Sequence, residues 1–256
     1  GIVNEMHEPT TYHGNMRPET ERTIIPSTWR EMGVGVHGAL GGGLDYKLYL
    51  VGGLNGAAFD SKGIRGGRQK GSKFSFEDKG VVGRLDWSPS SAIQLGTSAY
   101  YGGADQDPTG TVHINNVVAE AHGIFKFQNA EIRTLYAQSQ INGANKVGPL
   151  AGEEITVPKT QNGYYITAAY NLMPILGSEK FNALTPFVRY EQLNLQAAMM
   201  GDTESDASLE STEITAGVEF KPHADVVYKL EYSTKSDALK DSNPTQEIRF
   251  GAGFIY

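Results

Sequence analysis

The chain has 256 residues, no cysteine, 39% hydrophobic residues and a formal net charge of −7. That length holds one large all-β domain without requiring a second, and the mild acidity argues against a nucleic-acid partner. No run approaches the ~18 apolar residues of a membrane-spanning helix or the apolar stretch of a secretory leader, whereas 31 glycines and 13 tyrosines suit strands and turns.

Residues 1–28 are polar and irregular, with Pro9, Pro18 and Pro26, and read as loop. From Trp29 an alternation of period two begins, the signature of a strand with one apolar and one polar face. Met32, Val34 and Val36 share a face, and after Gly41-Gly42-Gly43 come Leu44, Tyr46, Leu48 and Leu50 against Asp45 and Lys47, so the two form a hairpin. A long Gly-, Lys- and Arg-rich loop follows, about 54–80. Val81, Leu85 and Trp87 then alternate with Arg84 and Asp86, and after a Ser-Pro-Ser-Ser turn Ile93, Leu95, Thr97, Ala99 and Tyr101 make the fourth strand. After a polar loop at 102–111, the fifth carries Val117, Ala119, Ala121 and Phe125 against Glu120, His122 and Lys126. Gln128-Asn129 turns into a sixth, with Glu131 and Arg133 opposite Ile132 and Thr134. Five more are expected: Tyr164 to Leu172, a strand at Val188 and Tyr190 against Arg189 and Glu191, Ile214 to Phe220 against Glu219 and Lys221, Val226 to Tyr232 against Lys229 and Glu231, and the closing 245–256. In the last, Ile248, Phe250, Ala252, Phe254 and Tyr256 oppose Glu247 and Arg249.

Connections alternate short and long, and apolar faces begin or end in aromatics (Trp87, Tyr101, Phe125, Tyr164, Phe220, Tyr232, Phe250, Tyr256). Short periplasmic turns, long extracellular loops and interfacial aromatics are the pattern of a transmembrane antiparallel β-barrel. A soluble β-sandwich also alternates, but gives no reason for loops to alternate in length. The expected domain is a single barrel, strands at 29–256, in the bacterial outer membrane. Eleven strands are visible, and bacterial single-chain barrels have even numbers. Counting back from a periplasmic C-terminus puts residues 1–28 outside the cell, as an extracellular loop or the remnant of an earlier strand. The chain then reads as the C-terminal part of a longer barrel, with twelve strands as the alternative.

Two stretches carry a resemblance. The closing strand resembles that of bacterial outer-membrane barrels, whose terminal aromatic is an assembly signal; Phe250, Phe254 and Tyr256 would serve here, read by the barrel-assembly machinery. Residues 21–36 (ERTIIPSTWREMGVGV) and 63–71 (GIRGGRQKG) resemble segments of porins related to the phosphate-selective, O and P type, family. That resemblance implies a sixteen-stranded homotrimeric pore, of which these eleven strands would be the C-terminal part. The arginine ladder of the phosphate-specific members is not evident.

On the barrel reading the polar faces line a water-filled lumen, with charges two apart on one face: Asp45/Lys47, Arg84/Asp86, Glu131/Arg133, Arg189/Glu191, Glu219/Lys221, Lys229/Glu231 and Glu247/Arg249, joined by Glu120 and Lys126. Acids and bases balance, so this belt either cross-pairs to stiffen the wall or sets a transverse field that orients dipolar solutes. The loop residues Lys62, Arg65, Arg68, Lys70 and Lys73 would form an anion-favouring constriction if the loop folds inward, or would meet lipopolysaccharide phosphates if it stays outside. His7 and His13 among Glu5 and Glu8, and the acidic loops around Asp105, Asp107, Asp202 and Asp206, lack a metal-ligand pattern; no metal or cofactor is expected. His122 beside Glu120 has no serine placed with it in sequence. The expectation is a non-enzymatic porin passing small hydrophilic solutes or anions among outer-membrane lipids. The alternatives are a plugged scaffold or adhesin, and a barrel hydrolase.

Overall fold

The structure is a computed structural model that describes residues 2–73, 75–106, 113–152, 155–177, 180–239 and 243–255. Eleven strands form one antiparallel sheet in strict sequence order: β1 (Gly33–Gly41), β2 (Leu44–Gly52), β3 (Lys79–Ser90), β4 (Ile93–Gly103), β5 (Asn115–Phe127), β6 (Ala130–Asn142), β7 (Thr160–Tyr170), β8 (Ala183–Ala198), β9 (Glu210–His223), β10 (Val226–Asp237) and β11 (Thr245–Phe254). Each expected strand is present, and the all-β, up-and-down reading holds. Two short helices, α1 (Val147–Ala151) and α2 (Met173–Leu176), sit in connections; four or five residues are too few for a 3.6-residue apolar period to show in the sequence. Among the described residues β1 and β11 each pair on one side only, so the sheet has two open edges.

Connections at one end of the sheet are tight except the one at 171–182, which carries α2. Gly43 turns β1 into β2 at φ +78, where an added Cβ would lie 2.2 Å from the Ser88 carbonyl oxygen, so only glycine fits. At the other end the connections are long, and the one at 53–78 folds back over the sheet.

The distribution of burial is the inverse of a soluble protein. Side chains exposed on one face include Val34, Leu48, Leu85, Val188, Ile214, Leu230, Ile248 and Phe250, while Arg84, Asp86, Glu120, Arg189, Glu191, Glu219, Lys229 and Glu231 are buried on the other. The apolar face is bounded by rings. Tyr136, Tyr164, Tyr190 and Tyr232 lie toward the long-loop end, and the next outward residues are polar (Gln138, Asn162, Gln192 and Thr234). The hydroxyls of Tyr136 and Tyr164 donate to Gln138 and Gln192 at 3.0 Å, so each ring has one apolar and one polar end. Trp87, Phe127 and Phe254 stand exposed toward the tight-turn end. On β4 the belt from Ile93 to Tyr101 takes eight steps of ~3.3 Å, about 20 Å of height at a tilt near 40°.

Residues 2–28 form no strand. They run across the polar face as a strap, with a 3-10 turn at Ile2–Asn4 and a π turn at Thr20–Ile24. Ile2, Val3, Ile24 and Ile25 of the strap are buried against Leu135, Tyr165, Leu193 and Leu195. A second apolar cluster joins Leu54, Phe59 and Ile64 of the folded-back loop to Ile114, Ile141, Val147 and Val157.

Candidate functional site

The polar face is where chemistry-bearing side chains converge, and strand register decides what they can do. Register places Lys47 opposite Arg84 and Asp45 opposite Asp86. Like charges facing each other across strands repel. The strap resolves the first clash: the Glu5 carboxylate forms ion pairs with Lys47 and, at 3.0 Å, with Arg84. Burial alone would raise the Glu5 carboxyl, but the two cations outweigh it and hold it below the ordinary carboxylate range. Arg84 Nε also reaches Asp86 at 2.6 Å, whereas Asp45 stays exposed.

Elsewhere register brings opposite charges together, as a cross-pairing belt requires. Lys229 faces Glu219 at 3.3 Å and Glu231 faces Arg249 at 3.0 Å. Glu131 pairs with Arg133 and Glu247 with Arg249 along their own strands, and exposed Lys126 stands 4.0 Å from Glu131. Buried Glu120 accepts from Ser98 Oγ at 2.7 Å and lies 2.8 Å from His122 Nδ1. Ser98 therefore gives its hydrogen bond to a carboxylate and not to His122.

The belt has a further use that its spacing did not announce: it binds main chain. Lys221 Nζ donates to the Thr10 carbonyl at 2.7 Å, Arg133 to that of Thr11 at 2.5 Å, and Lys229 to those of Tyr12 and Gly14 at 2.6 and 2.9 Å. Arg189 donates to the Met16 carbonyl at 3.2 Å. The carboxylates take the amides: Glu219 accepts from Gly14 at 3.0 Å, Glu231 from Asn15 at 2.7 Å, and Glu191 from Glu19 and Thr20 at 3.0 and 2.7 Å. Cations on carbonyls and carboxylates on amides hold the strap from five strands, β6 and β8–β11, the last through the Arg249 carbonyl that accepts from Asn15 Nδ2 at 3.1 Å. Hydrogen bonds to charged groups contribute about 1.5–3 kcal/mol each when buried.

His13 sits at the centre of this lattice. Its Nδ1 is 2.9 Å from Glu219 Oε2, its Nε2 is 3.1 Å from Glu131 Oε1, and its ring stacks on Phe187 at 5.7 Å. Both nitrogens face carboxylate oxygens, so the ring donates twice only as imidazolium. Burial on its own would lower the His13 pKa; the hydrogen bonds to Glu131 and Glu219 outweigh it and leave the value raised. One imidazole bridging β6 and β9, three strand spacings or about 14 Å apart on a flat sheet, is the geometry of a sheet curled toward its polar face.

The basic loop does fold over this face: Gln161 of β7 donates to the Lys62 carbonyl at 2.9 Å and Gln196 of β8 to that of Ser61 at 3.3 Å. Its arginines, however, grip the strap. Arg65 donates to the Arg22 carbonyl, and Arg68 to the Ser27 carbonyl at 2.9 Å. Lys62, Lys70 and Lys73 remain exposed. Phe250 and Phe254 stand on the apolar face of β11; Tyr256 and Asp107 lie outside the described residues. Among the described residues no cluster of three His, Asp or Glu has metal-binding geometry. Sequence reasoning did not find Tyr12, Gly14 or the main-chain role of the strap, nor that Glu21 accepts from the Tyr165 hydroxyl of β7 at 2.5 Å. No sequence signal pointed to the strap, because the register that sets Lys47 opposite Arg84 joins β2 to β3 across the long connection at 53–78, and no tight turn fixes it in advance.

No protein-family model matches the chain. An uncharacterized protein of Aquifex aeolicus is 28% identical over 253 residues, which cover 95% of this chain and 57% of that protein. The chain thus spans little more than half the length of that relative. Among solved structures, OccK1 (OpdK) of Pseudomonas aeruginosa superposes on 88% of the chain and 68% of its own with a TM-score of 0.45 at 10% identity. A second structure of OpdK, there called an outer membrane protein, gives 0.43 at the same identity over 88% and 69%. Likeness at that level adds nothing to what the sheet itself displays.

Proposed function

We propose that the chain forms the wall and constriction of an outer-membrane porin that passes small hydrophilic solutes by diffusion, without catalytic turnover or cofactor. One observation carries the reading: an up-and-down sheet buries its charges on one face and exposes, on the other, an apolar belt edged by tyrosines. In lipid that belt is the favourable outer surface, and an open sheet edge is not tolerated. The edges of β1 and β11 are therefore closed by further strands, as in the sixteen-stranded homotrimeric ring that the resemblance to the phosphate-selective porins implies; that kinship rests on residues 21–36 and 63–71 alone. The strap and the loop at 53–78 narrow the lumen. Lys62, Lys70 and Lys73 are the cations left to favour anions, or to meet lipopolysaccharide phosphate, because Arg65 and Arg68 hold carbonyls. Phe250, Phe254 and Tyr256 present the assembly signal.

A second reading has its own support. The strap covers much of the polar face with buried contacts, as a plugged scaffold with binding loops would. Liposome swelling separates the two. Vesicles carrying the protein should swell in arabinose faster than in a tetrasaccharide of equal osmolarity; swelling no faster than protein-free vesicles in either sugar would favour the plug.

A further inference from the structure

A cavity of about 140 Å³ lies between the strap, Trp29 and the inner wall of β2–β5, and the pore reading gives it no role. Its wall is largely apolar, formed by Ile25, Val51, Val82 and Val118 beside Trp29 and Tyr100. The two aromatic rings meet at 4.7 Å between centroids, tilted 52°. Two carboxylates, Glu31 and Glu120, are set into this wall, and no Lys, Arg or His lines it.

The carboxylates differ in what they lack. Both oxygens of Glu120 are occupied, by Ser98 and His122. Glu31 Oε1 accepts from the Trp29 indole at 3.1 Å and the Gln69 amide at 3.0 Å. Its Oε2 is buried and, among the described residues, has no hydrogen-bond partner; the same holds for the hydroxyl of Tyr100, which is only 4% exposed. Leaving such groups without a partner is costly, and native proteins rarely do it. Burial keeps the Glu31 carboxyl above its ordinary range, outweighing the Gln69 and Lys70 amides, the Trp29 indole and the charge of Arg68, all of which pull it down.

We propose that this cavity binds a small organic cation, its ammonium head on Glu31 Oε2 and the Tyr100 hydroxyl and its alkyl body against Trp29 and the valines. An apolar cavity of ~150 Å³ accommodates benzene, which sets the ligand at about six heavy atoms. The faces of Trp29 and Tyr100 add cation–π attraction. An anion of that size would meet two carboxylates, with no Lys, Arg or His in the cavity lining. Water can donate to Glu31 but neither neutralises it nor fills the apolar wall. The site belongs to the folded chain whether or not the sheet conducts, so its failure and that of the pore reading are separable.

The chain has two tryptophans, so Trp87→Phe leaves Trp29 as the only indole. The folded full chain in detergent is titrated with n-butylammonium chloride, with sodium butyrate and 1-butanol as matched controls. The expected result is a saturable change in Trp29 emission with butylammonium alone, its midpoint raised at least tenfold by Glu31→Gln and severalfold by Tyr100→Phe. Glu31→Gln keeps the carbonyl oxygen that receives Trp29 and Gln69, and Tyr100→Phe removes only a hydroxyl, so neither should unfold the chain. An equal response to 1-butanol, or one that both variants leave unchanged, overturns the cationic assignment. No saturable response from heat-modifiable, folded protein overturns the site.

Discussion

His13 and Gly14 are where single side chains decide whether the strap stays on the wall. Glu219 from β9 and Glu131 from β6 meet the His13 ring, while Arg133 from β6, Lys229 from β10 and Arg189 from β8 hold the carbonyls of Thr11, Gly14 and His13 around it. Its raised pKa makes the imidazolium contribution full below the unfolded value near 6.5 and lost as pH rises through the higher folded value. Tryptic cleavage after Arg22, which unlike Arg17 is not followed by proline, should therefore accelerate as pH rises above about 6.5, with a step beyond the enzyme's own pH profile that His13→Asn abolishes. A flat ratio between the two proteins across that range would contradict the latch. Gly14 lies at φ +84, and a Cβ there would come within 2.4 Å of Glu231 Oε2. The left-handed backbone alone costs an L-residue about 1–2 kcal/mol. Gly14→Ala should accordingly raise hydrogen exchange at the Asn15 and Thr20 amides roughly 5- to 30-fold; unchanged exchange would mean the strap is held elsewhere.

Strands were legible in the sequence because period two survives whichever side faces water. Leu44–Gly52 and Val226–Asp237 show it plainly, and loop lengths supplied the rest. The strap was not legible. Residues 10–16 bind through main-chain carbonyls and amides, which every residue carries, so the side-chain pattern holds no record of the contact. The partners of the charged residues were not legible, because pairings such as His13–Glu131 and His13–Glu219 join residues more than 100 positions apart in the chain. The basic loop shows the reverse. Its inward folding follows from Phe59 and Ile64 finding an apolar cluster, while its arginines take local carbonyls instead of facing an open lumen. The two faces of β10 should respond differently to substitution. Leu230→Lys puts a cation on the exposed apolar face and should destabilise the bilayer-folded protein by about 2–4 kcal/mol if it sits near the midplane. Lys229→Leu should leave membrane folding intact but loosen residues 12–14. Refolding into lipid vesicles under urea measures the first, and proteolysis of the strap the second; equal refolding of Leu230→Lys and the parent would rule out lipid against that face.

At the scale of the whole molecule, an exposed apolar belt and a charged, covered inner face are one fact seen from two sides. The sheet is stable only where lipid replaces water outside, and its inner charges are kept by one another and by the strap. Curvature toward the polar face, which lets His13 span three strands, is what makes a lumen. Planar-bilayer recording of single channels under a salt gradient tests this most directly. Stepwise, ohmic conductance should appear, with a reversal potential favouring anions that shifts toward cations in Lys62→Glu/Lys70→Glu/Lys73→Glu. Conductance without ion preference would keep the pore and remove the role of those lysines. Absence of conductance from folded, heat-modifiable protein would contradict the pore and leave the strap as a plug.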